Sequence, residues 1–467
     1  MSISIVLSNR ATEYQGQHKI IQRDDGSLTF APVNRFALTL PPELTSLIFL
    51  FCLPDDEFIS PEPSSAPLLL CRICRQWRHI ALATPGLWAS LFLDLDWFFP
   101  MAPNFEEPAP DLGLFFRQWL SNARSLPLSL RVEDDPKYDD WKPGPTNAGY
   151  RSVFRMIGQL SAQWRKITLR VSPPYFNDAY PSSTVFPWLE QLAVPQVEMS
   201  ETPWMRNIPW KQLTVFRSEK ISVSECVHVL RDAPNLLHCS FSIRRESSRV
   251  VASLPPLHLW VLRVLEITDY VGETKTLLQS LTLPALLGLT LKFPLLRHVH
   301  YEIGLIPFAS RSPQLRELTL CLIPSSQAWL VTCLRSFPSV TTLRLQLPKG
   351  ADDLICHLKS DINLFPRLES LHIVQNTPYS RAPNVDGLLE MLSARWDPPF
   401  DSQNSRNLRA QLRSFESEYS DSTAIDSSMF AVRQDPRFRL LKERGMSLQI
   451  GLRNVWFPDW CTERPSS

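Results

Sequence analysis

The sequence PALLGLTL, residues 284–291, decides the fold, because its pattern returns along the second half of the chain. It returns as PQLRELTL at 313–320, as PSVTTLRL at 338–345 and as PRLESLHI at 366–373. In each copy the last two apolar residues are two positions apart, so they face the same side of a β-strand. The first apolar residue lies three positions earlier, at the turn into the strand. The pattern therefore predicts a repeated unit of one turn and one strand.

Further copies with the same apolar spacing lie between residues 164 and 267, and the first positions of neighbouring copies are 23 to 29 residues apart. Helical patterns such as 222–231 and 326–336 lie between the copies. A single unit cannot bury its apolar side, whereas a stack of units builds a continuous core. The apolar residues of the nine copies are Trp164, Ile167 and Leu169; Leu189, Leu192 and Val194; Leu213 and Phe216; Leu236, Cys239 and Phe241; Leu262, Leu265 and Ile267; Leu286, Leu289 and Leu291; Leu315, Leu318 and Leu320; Val340, Leu343 and Leu345; and Leu368, Leu371 and Ile373.

This spacing resembles the leucine-rich repeat family. The resemblance implies a solenoid with parallel strands on its concave side and helices on its convex side. The asparagine that usually follows the strand is absent, and Ile323 stands in its place in the copy that begins at Leu315. We therefore expect an irregular solenoid, whose turns satisfy their backbone groups without an asparagine ladder.

A second informative stretch is LPPELTSLIFLFCLP, residues 40–54, which predicts a short helix that is apolar on nearly every side. Pro42 suits the first turn of a helix and Pro54 ends it. Leu44, Leu47, Ile48 and Phe51 are spaced to form one face. A helix with so little polar surface needs burial on more than one side. A helical hairpin with its own core and a docking module that completes its core with a partner both fit this pattern.

The stretch from residue 40 to residue 95 resembles an F-box, the small helical module that binds the Skp adaptor of Skp–cullin–F-box ubiquitin ligases. The residues that carry the resemblance are Leu40, Pro41, Glu43, Leu44, Ile48, Leu53, Pro54, Ile73, Cys74, Trp77, Ile80, Pro85, Leu87 and Trp88. One departure is the Pro/Ser-rich insert 54–67, which predicts a solvated loop between helices. By resemblance, the adaptor-binding residues are Leu40, Pro41, Leu44, Ile48, Ile73, Trp77, Leu87 and Trp88.

These patterns predict four segments and an α/β fold. Residues 1–35 are expected to form a loosely ordered arm, and 36–95 the F-box-like helical module. Residues 96–111 are expected to form a Pro-rich linker, and 112–460 the irregular leucine-rich-repeat domain with a parallel sheet. The combination is similar to fungal F-box/leucine-rich-repeat proteins.

Composition restricts the function classes. The net charge is +1, so no overall field attracts nucleic acid or an anionic membrane. No apolar run is long enough for a transmembrane helix, and the N-terminus lacks the basic and apolar regions of a signal peptide. Nine scattered cysteines predict reduced thiols in the cytoplasm or nucleus of a protein that is not secreted.

Three local patterns resemble known chemical motifs but do not predict a site. The run Gly144–Gly149 has glycine spacing of a phosphate loop, but Tyr150 and Arg151 replace the lysine and hydroxyl residue. Cys71 and Cys74 lack a second ligand pair, so we expect core thiols and no zinc site. His298 and His300 likewise lack further ligands and are expected at a surface or turn. We therefore expect no cofactor, no metal and no catalytic residue.

Charged and polar residues on two surfaces remain as candidates for binding. Arg72, Arg75 and Arg78 form a flank of the F-box-like stretch, without the interleaved aromatics of a nucleic-acid platform. We expect a solvated face or an adaptor contact there. Strand residues that alternate with the buried positions point outward, and we expect a protein partner to bind them. These outward residues are Glu266, Thr268, Glu317, Thr319, Thr342, Arg344, Gln346, Ser370 and His372.

Taken together, the resemblance implies a substrate-recognition subunit of a Skp–cullin–F-box ubiquitin ligase. It would bind a Skp adaptor, and through it a cullin, and would hold an unknown protein target with its repeats. Two alternatives stay open. One is a leucine-rich-repeat interaction scaffold without a ubiquitin-ligase role. The other is an enzyme whose active site is assembled from distant residues.

Overall fold

The computed structural model describes fifteen segments of the 467-residue chain. The chain divides into two compact units, unit 1 from Met1 to Leu189 and unit 2 from Glu190 to Ser467. The linker 96–111, Gly144, the pair His298 and His300, and Ile323 lie outside the described residues, as does most of the arm 1–35. The described segments are 20–22, 28–30, 40–95, 112–133, 148–171, 185–197, 203–245, 254–294, 304–321, 327–346, 352–361, 363–375, 384–397, 410–419 and 430–452.

Unit 1 combines a group of helices with a short parallel sheet. Its helices are α1 (Pro42–Phe51), α2 (Leu70–Ile73), α3 (Arg75–Ala83), α4 (Leu112–Ala123) and α5 (Ala148–Gln159). Its strands are β1 (Ile20–Gln22), β2 (Leu28–Phe30), β3 (Ser90–Asp94), β4 (Leu128–Glu133) and β5 (Trp164–Arg170). Strands β1 and β2 pair antiparallel, whereas β3, β4 and β5 pair parallel in that order.

Strand β3 lies inside the stretch that the sequence predicted to be a helical module. Ser90 pairs with Ser129 of β4, and Leu91 pairs with Leu130. Leu91 and Leu93 are buried, and the residues between them are half-buried, which is the alternation of a strand with one buried side. The helical module therefore continues directly into the parallel sheet of unit 1.

The insert 54–67 packs along β3, although the sequence predicted a solvated loop. The Phe92 N–H donates a hydrogen bond of 2.8 Å to the carbonyl of Ile59, and the Ile59 side chain is buried. The Ser90 hydroxyl donates to the carbonyl of Glu57, and the Glu57 carboxylate pairs with Lys166 of β5 at 2.9 Å. The insert thus covers the edge of β3 that β4 leaves free.

Unit 2 is an α/β array in which helices alternate with the strands of a long parallel sheet. Ten strands pair in this order: β6 (Gln191–Gln196), β7 (Val215–Ile221), β8 (His238–Ile243), β10 (Val264–Asp269), β12 (Gly288–Lys292), β13 (Glu317–Cys321), β14 (Thr342–Gln346), β15 (Ser370–Gln375), β16 (Ser414–Tyr419) and β17 (Ser447–Leu452). Strands β9 (Leu257–His258) and β11 (Leu281–Thr282) form a separate parallel pair. The helices are α6 (Val223–Asp232), α7 (Thr274–Ser280), α8 (Leu305–Ala309), α9 (Gln327–Arg335), α10 (Asp352–Ser360), α11 (Val385–Trp396) and α12 (Pro436–Glu443).

The predicted repeat positions coincide with these strands, so the predicted α/β fold with a repeated parallel sheet is confirmed. Leu289 pairs with Leu265 on one side and with Leu318 on the other, and all three are buried. The same column continues through Leu343 and Leu371. Because every strand adds its leucines in register, each strand buries the apolar side of the next. The core of unit 2 consists of these columns and the buried sides of the helices.

The turn before the strand explains the proline of the repeat. The Leu286 N–H donates a hydrogen bond of 3.2 Å to the carbonyl of Leu283, across Pro284. A proline fits the second position of such a turn, because its fixed φ angle is the one the turn requires. The same bond joins Leu189 to Phe186, Leu236 to Ala233, Leu315 to Ser312, Val340 to Phe337, and Leu368 to Phe365.

A ladder of backbone hydrogen bonds joins the strand entries of successive copies without any asparagine. The carbonyl of Leu287 accepts from the N–H groups of Arg316 and Glu317, both at 2.8 Å. The carbonyl of Arg316 in turn accepts from Thr341 and Thr342 in the next copy. Backbone groups at the strand entries are therefore paired by the chain itself, as the irregular repeat requires.

One turn after a strand is held by a buried carboxylate. Asp269 ends β10 and is fully buried. Its Oδ1 accepts from the N–H groups of Val271 and Gly272 at 2.8 and 2.7 Å, and its Oδ2 accepts from the Thr274 N–H and hydroxyl at 2.7 and 2.6 Å. The carboxylate thus accepts four hydrogen bonds, pairs the backbone N–H groups at the start of α7 and fixes the path of the chain there.

None of the helices within the described segments has the length and apolar character needed to span a membrane.

We expect Asp269→Ala to lower the free energy of unfolding by about 2–4 kcal/mol, because it leaves buried donors unpaired. Asp269→Asn should cost less, because one side-chain oxygen still accepts. Urea unfolding followed by tryptophan fluorescence measures both. The control Glu443→Ala removes an exposed carboxylate and should change stability by less than about 0.5 kcal/mol. Equal stability of Asp269→Ala and the native protein would contradict this role of Asp269.

Candidate functional site

Helix α1 is anchored in unit 1 by one narrow side. Thr45 and Phe49 are its buried residues, and Phe49 is only 1% exposed. The Phe49 ring lies 5.0 Å from the ring of Trp77, near the start of α3. The Thr84 hydroxyl, at the end of α3, lies 3.1 Å from the hydroxyl of Ser46. These contacts fix the orientation of α1 on α3.

The other side of α1 is apolar and exposed. We call the face formed by Leu44, Leu47, Ile48 and Phe51 the α1 apolar face. Each of these side chains is about half exposed or more, and Phe51 reaches 90%. Their spacing places them on adjacent turns of one helix side, so they form a continuous apolar strip. A contiguous exposed apolar surface is typical of a binding site for another protein.

The predicted adaptor-binding residues fall into three groups by their exposure to solvent. Leu40 and Trp77 are half-buried, while Pro41, Leu44, Ile48 and Ile73 are exposed. Leu87 and Trp88 are buried inside unit 1 and do not contribute side chains to its surface.

Trp88 has a structural role that accounts for its burial. Its Nε1 donates a hydrogen bond of 2.9 Å to the carbonyl of Ala81 in α3, and its ring meets the ring of Trp119 edge-on at 4.9 Å. Trp119 belongs to α4, so Trp88 ties two helices of unit 1 together. Leu87 and Trp88 therefore differ from the predicted role and belong to the core.

Cys71 and Cys74 are half-buried, so they differ from the core thiols that the sequence predicted. Cys74 has an extended backbone and separates α2 from α3. Its Sγ accepts a hydrogen bond of 3.4 Å from the Trp77 N–H and so caps α3. Cys71 is half-buried, and burial raises the pKa of its thiol.

Two of the three predicted surface arginines support the backbone around them. Arg72 donates to the carbonyl of Pro63 in the insert, and Arg78 donates through Nε to the carbonyl of Cys71 at 2.7 Å. All three arginines, including Arg75, are exposed. The flank is solvated, as expected, and it also fastens the insert to α2.

In unit 2 the strand residues that alternate with the buried leucines form an outer face. Their side chains line up across strands, because the strands pair in register: Glu266 faces Ser240 and accepts from its hydroxyl at 3.2 Å. Of the nine predicted outward residues, Glu317 is exposed, and Glu266, Thr268, Thr319, Thr342, Arg344, Gln346 and Ser370 are half-buried. His372 differs from the prediction, because it is only 7% exposed.

His372 is buried by charged neighbours on the outer face. We call Arg344, His372, Glu416 and Glu418 the His372 cluster. Arg344 Nε donates a hydrogen bond of 2.8 Å to His372 Nδ1. Glu416 Oε2 lies 3.7 Å from Nδ1, and Glu418 Oε1 lies 3.5 Å from Nε2. Two strands supply the cluster beside Arg344: β15 carries the imidazole and β16 carries both carboxylates.

The imidazole is neutral near pH 7. Burial, together with the neighbouring guanidinium of Arg344, lowers the pKa of His372 to about 4. Because Nδ1 accepts from Arg344, the neutral ring carries its proton on Nε2. Nε2 is buried and has no hydrogen-bond partner among the described residues. A buried polar atom without a partner is uncommon and indicates a place for a further group.

Sequence reasoning found Arg344 and His372 but missed Glu416 and Glu418. The signal was present in SFESEY, residues 414–419, where the two glutamates alternate with Phe415 and Ser417. A long segment separates this strand from its predecessor at Leu371, so the copy falls outside the regular spacing. Pairing of Leu371 with Phe415 places Glu416 opposite His372.

Comparisons with known proteins leave the family of the chain unassigned. No family model matches the chain, and no curated protein matches it. Among solved structures it is similar to a protein of Bacteroides fragilis known from a crystal structure, with 12% identity and a TM-score of 0.26. The match covers 70% of this chain and 66% of that one.

We expect Phe51→Ser to leave the free energy of unfolding within about 0.5 kcal/mol of the native value, because its ring already contacts water. Phe49→Ala, two residues earlier, should lower that free energy by about 3–5 kcal/mol, because it leaves a cavity at the α1–α3 contact. Thermal unfolding of the full chain, followed by tryptophan fluorescence, measures both. A large loss of stability in Phe51→Ser would show that the α1 apolar face is part of a core.

Proposed function

We propose that the chain is the substrate-recognition subunit of a Skp–cullin–F-box ubiquitin ligase. The module 40–95 docks on a Skp-type adaptor, which joins a cullin, and the repeats hold a protein target. Catalysis in this proposal is by proximity: tethering raises the effective concentration of target lysines near the ubiquitin thioester. The chain itself then needs no catalytic residue, and we treat it as a binding protein and not as an enzyme.

The observation that supports the docking step is the α1 apolar face. Leu44 and Ile48 are exposed, and both stand at positions where the F-box resemblance expects adaptor contact. An amphipathic helix that lays its apolar side into a groove is a common mode of peptide and domain recognition. Burial of apolar area contributes about 25 cal/mol per Å², so several large side chains on one helix supply a substantial part of a binding energy.

The remaining docking residues fit a surface that spans more than one helix of the module. Ile73 of α2 is exposed, and Pro41, next to the start of α1, is exposed as well. The docking set of the proposal is therefore Pro41, Leu44, Ile48 and Ile73, with Leu40 and Trp77 half-buried beneath. Leu87 and Trp88 support this surface from inside the core.

The outer face of unit 2 is the proposed binding surface for the target. Unit 2 is a repeat-like parallel α/β solenoid, and arrays of this kind bind partners along an extended surface. Glu317 and Arg344 show the mixture of charges on this face. A mixed face favours a protein partner over the phosphate backbone of a nucleic acid, which requires a basic surface.

We further propose that the protein works in the cytoplasm or nucleus. The eight cysteines within the described segments are free thiols. Free, scattered cysteines fit a reducing compartment.

A second candidate function is an interaction scaffold that binds other proteins without leading to their ubiquitination. The repeat-like sheet of unit 2 favours this candidate equally, because binding along the outer face does not depend on the docking module. The two candidates differ in whether a protein bound by unit 2 receives ubiquitin.

We expect the full chain to co-purify with a recombinant Skp-type adaptor and its cullin. The double variant Leu44→Glu and Ile48→Glu should weaken adaptor binding at least about tenfold, because it places two charges in an apolar interface. Both residues are exposed, so the circular dichroism spectrum should stay native.

The matched control is Leu114→Glu, which changes a leucine of α4 that is 62% exposed and lies outside the α1 apolar face. It should bind the adaptor like the native chain. Absence of binding by the native chain, or full binding by the double variant, contradicts the docking proposal. Adaptor and cullin binding without ubiquitin transfer to any co-purified protein favours the scaffold.

A further inference from the structure

We propose that His372, Glu416 and Glu418 bind a divalent transition-metal ion such as Zn²⁺, in exchange for the side chain of Arg344. This site goes beyond the proposed function and does not depend on adaptor binding. It lies on the outer face of unit 2, where the three ligands belong to two adjacent strands.

Sheet geometry brings the three side chains together. His372 on β15 is the register partner of Glu416 on β16, and Glu418 follows two positions later on the same side. One nitrogen or oxygen atom from each residue lies within 4.8 Å of the other two. Both strands are internal to the parallel sheet, because β14 and β17 flank them, so the ligands stand on a rigid support.

The ligand types and distances suit a small divalent ion. An imidazole with two carboxylates is a ligand set that zinc and related metals accept. Around a tetrahedral ion with bonds of about 2.0 Å, ligand atoms are roughly 3.3 Å apart. The separation of 3.5 Å from His372 Nε2 to Glu418 Oε1 is close to that value, and one ligand atom from each of the three residues lies within 4.8 Å of the other two. Small side-chain rotations are enough to complete the site.

An independent observation points to a missing ligand. His372 is more than nine-tenths buried, and its Nε2 faces Glu418 without a hydrogen-bond partner among the described residues. A metal at Nε2 would satisfy this atom and bring the two carboxylates together around a positive charge.

Arg344 is the group that the metal must displace. Its Nε–H now donates to Nδ1, so the ring proton sits on Nε2. Coordination through Nε2 moves that proton to Nδ1, which then no longer accepts from Arg344. The ion also brings two positive charges to the carboxylates of Glu416 and Glu418. Metal binding and the Arg344–His372 hydrogen bond are therefore mutually exclusive.

Removal of Arg344 gives the sharpest test, because an ion bound elsewhere on the chain would not respond to it. We expect Arg344→Gln to bind Zn²⁺ at least about fivefold more tightly than the native chain, since a competing cation is gone. The double variant Glu416→Gln and Glu418→Gln should bind at least about tenfold more weakly. Glu→Gln keeps side-chain size, and Arg344→Gln shortens a half-buried side chain that lies on the outer face, so we expect the fold to be preserved, and circular dichroism checks it.

The full chain is titrated with Zn²⁺ alone and with Co²⁺ as a spectroscopic probe. Glu317→Gln is the matched control: it removes an exposed outer-face carboxylate on β13, outside the His372 cluster, and should leave affinity unchanged. The Co²⁺ spectrum should show nitrogen and oxygen ligation without thiolate charge-transfer bands. The proposal is overturned if neither the native chain nor Arg344→Gln binds one ion, if the double glutamine variant binds normally, if Arg344→Gln weakens binding, or if the bound Co²⁺ has thiolate ligands.

Discussion

In-register stacking of parallel strands is the constraint on which unit 2 depends. Most copies enter their strand through a turn that a backbone hydrogen bond closes across three residues, and the next carbonyl accepts two N–H groups from the following copy. That backbone ladder fixes the register of the strands, and the register determines which side chains are neighbours on each face of the sheet. On the buried side it aligns Leu289 with Leu318 and Leu343 in one column. A shift by one residue would turn every leucine to the solvent.

On the outer side the same register decides which polar groups meet. Neighbouring strands bring chemically different residues to the same level, so Arg344 meets His372 and His372 meets Glu416. The resulting contacts are not visible in any short stretch of sequence, because the partners are about 28 to 44 residues apart. A substitution that adds or removes a charge on the outer face of one strand leaves the buried leucines on the opposite face unchanged. The apolar side specifies the fold, and the outer side is free to acquire binding chemistry.

Much of unit 2 follows from the sequence, because the apolar spacing and the turn proline act locally. Pro284 and Leu286 suffice to place a turn and a strand, and the structure has both. The sequence could not reveal that residues 90–94 leave the helical module and pair with β4, since their partner is defined only after folding. Nor could it separate Leu44 from Leu87, which match the same motif: one is exposed on α1 and the other is packed in the core. The sequence did not predict Glu416 and Glu418 as site residues, because a long segment interrupts the repeat before them.

The insert between α1 and α2 covers the edge of β3, the first strand of the parallel sheet in unit 1. Parallel sheets end in strands whose N–H and C=O groups can recruit a strand from another molecule. Here the carbonyl of Ile59 takes the N–H of Phe92, and the pair Glu57–Lys166 fastens the insert across to β5. A segment whose composition predicted a solvated loop therefore covers the edge of a sheet. Without it, β3 would offer free backbone groups to a strand of another molecule, and this edge would be a starting point for aggregation.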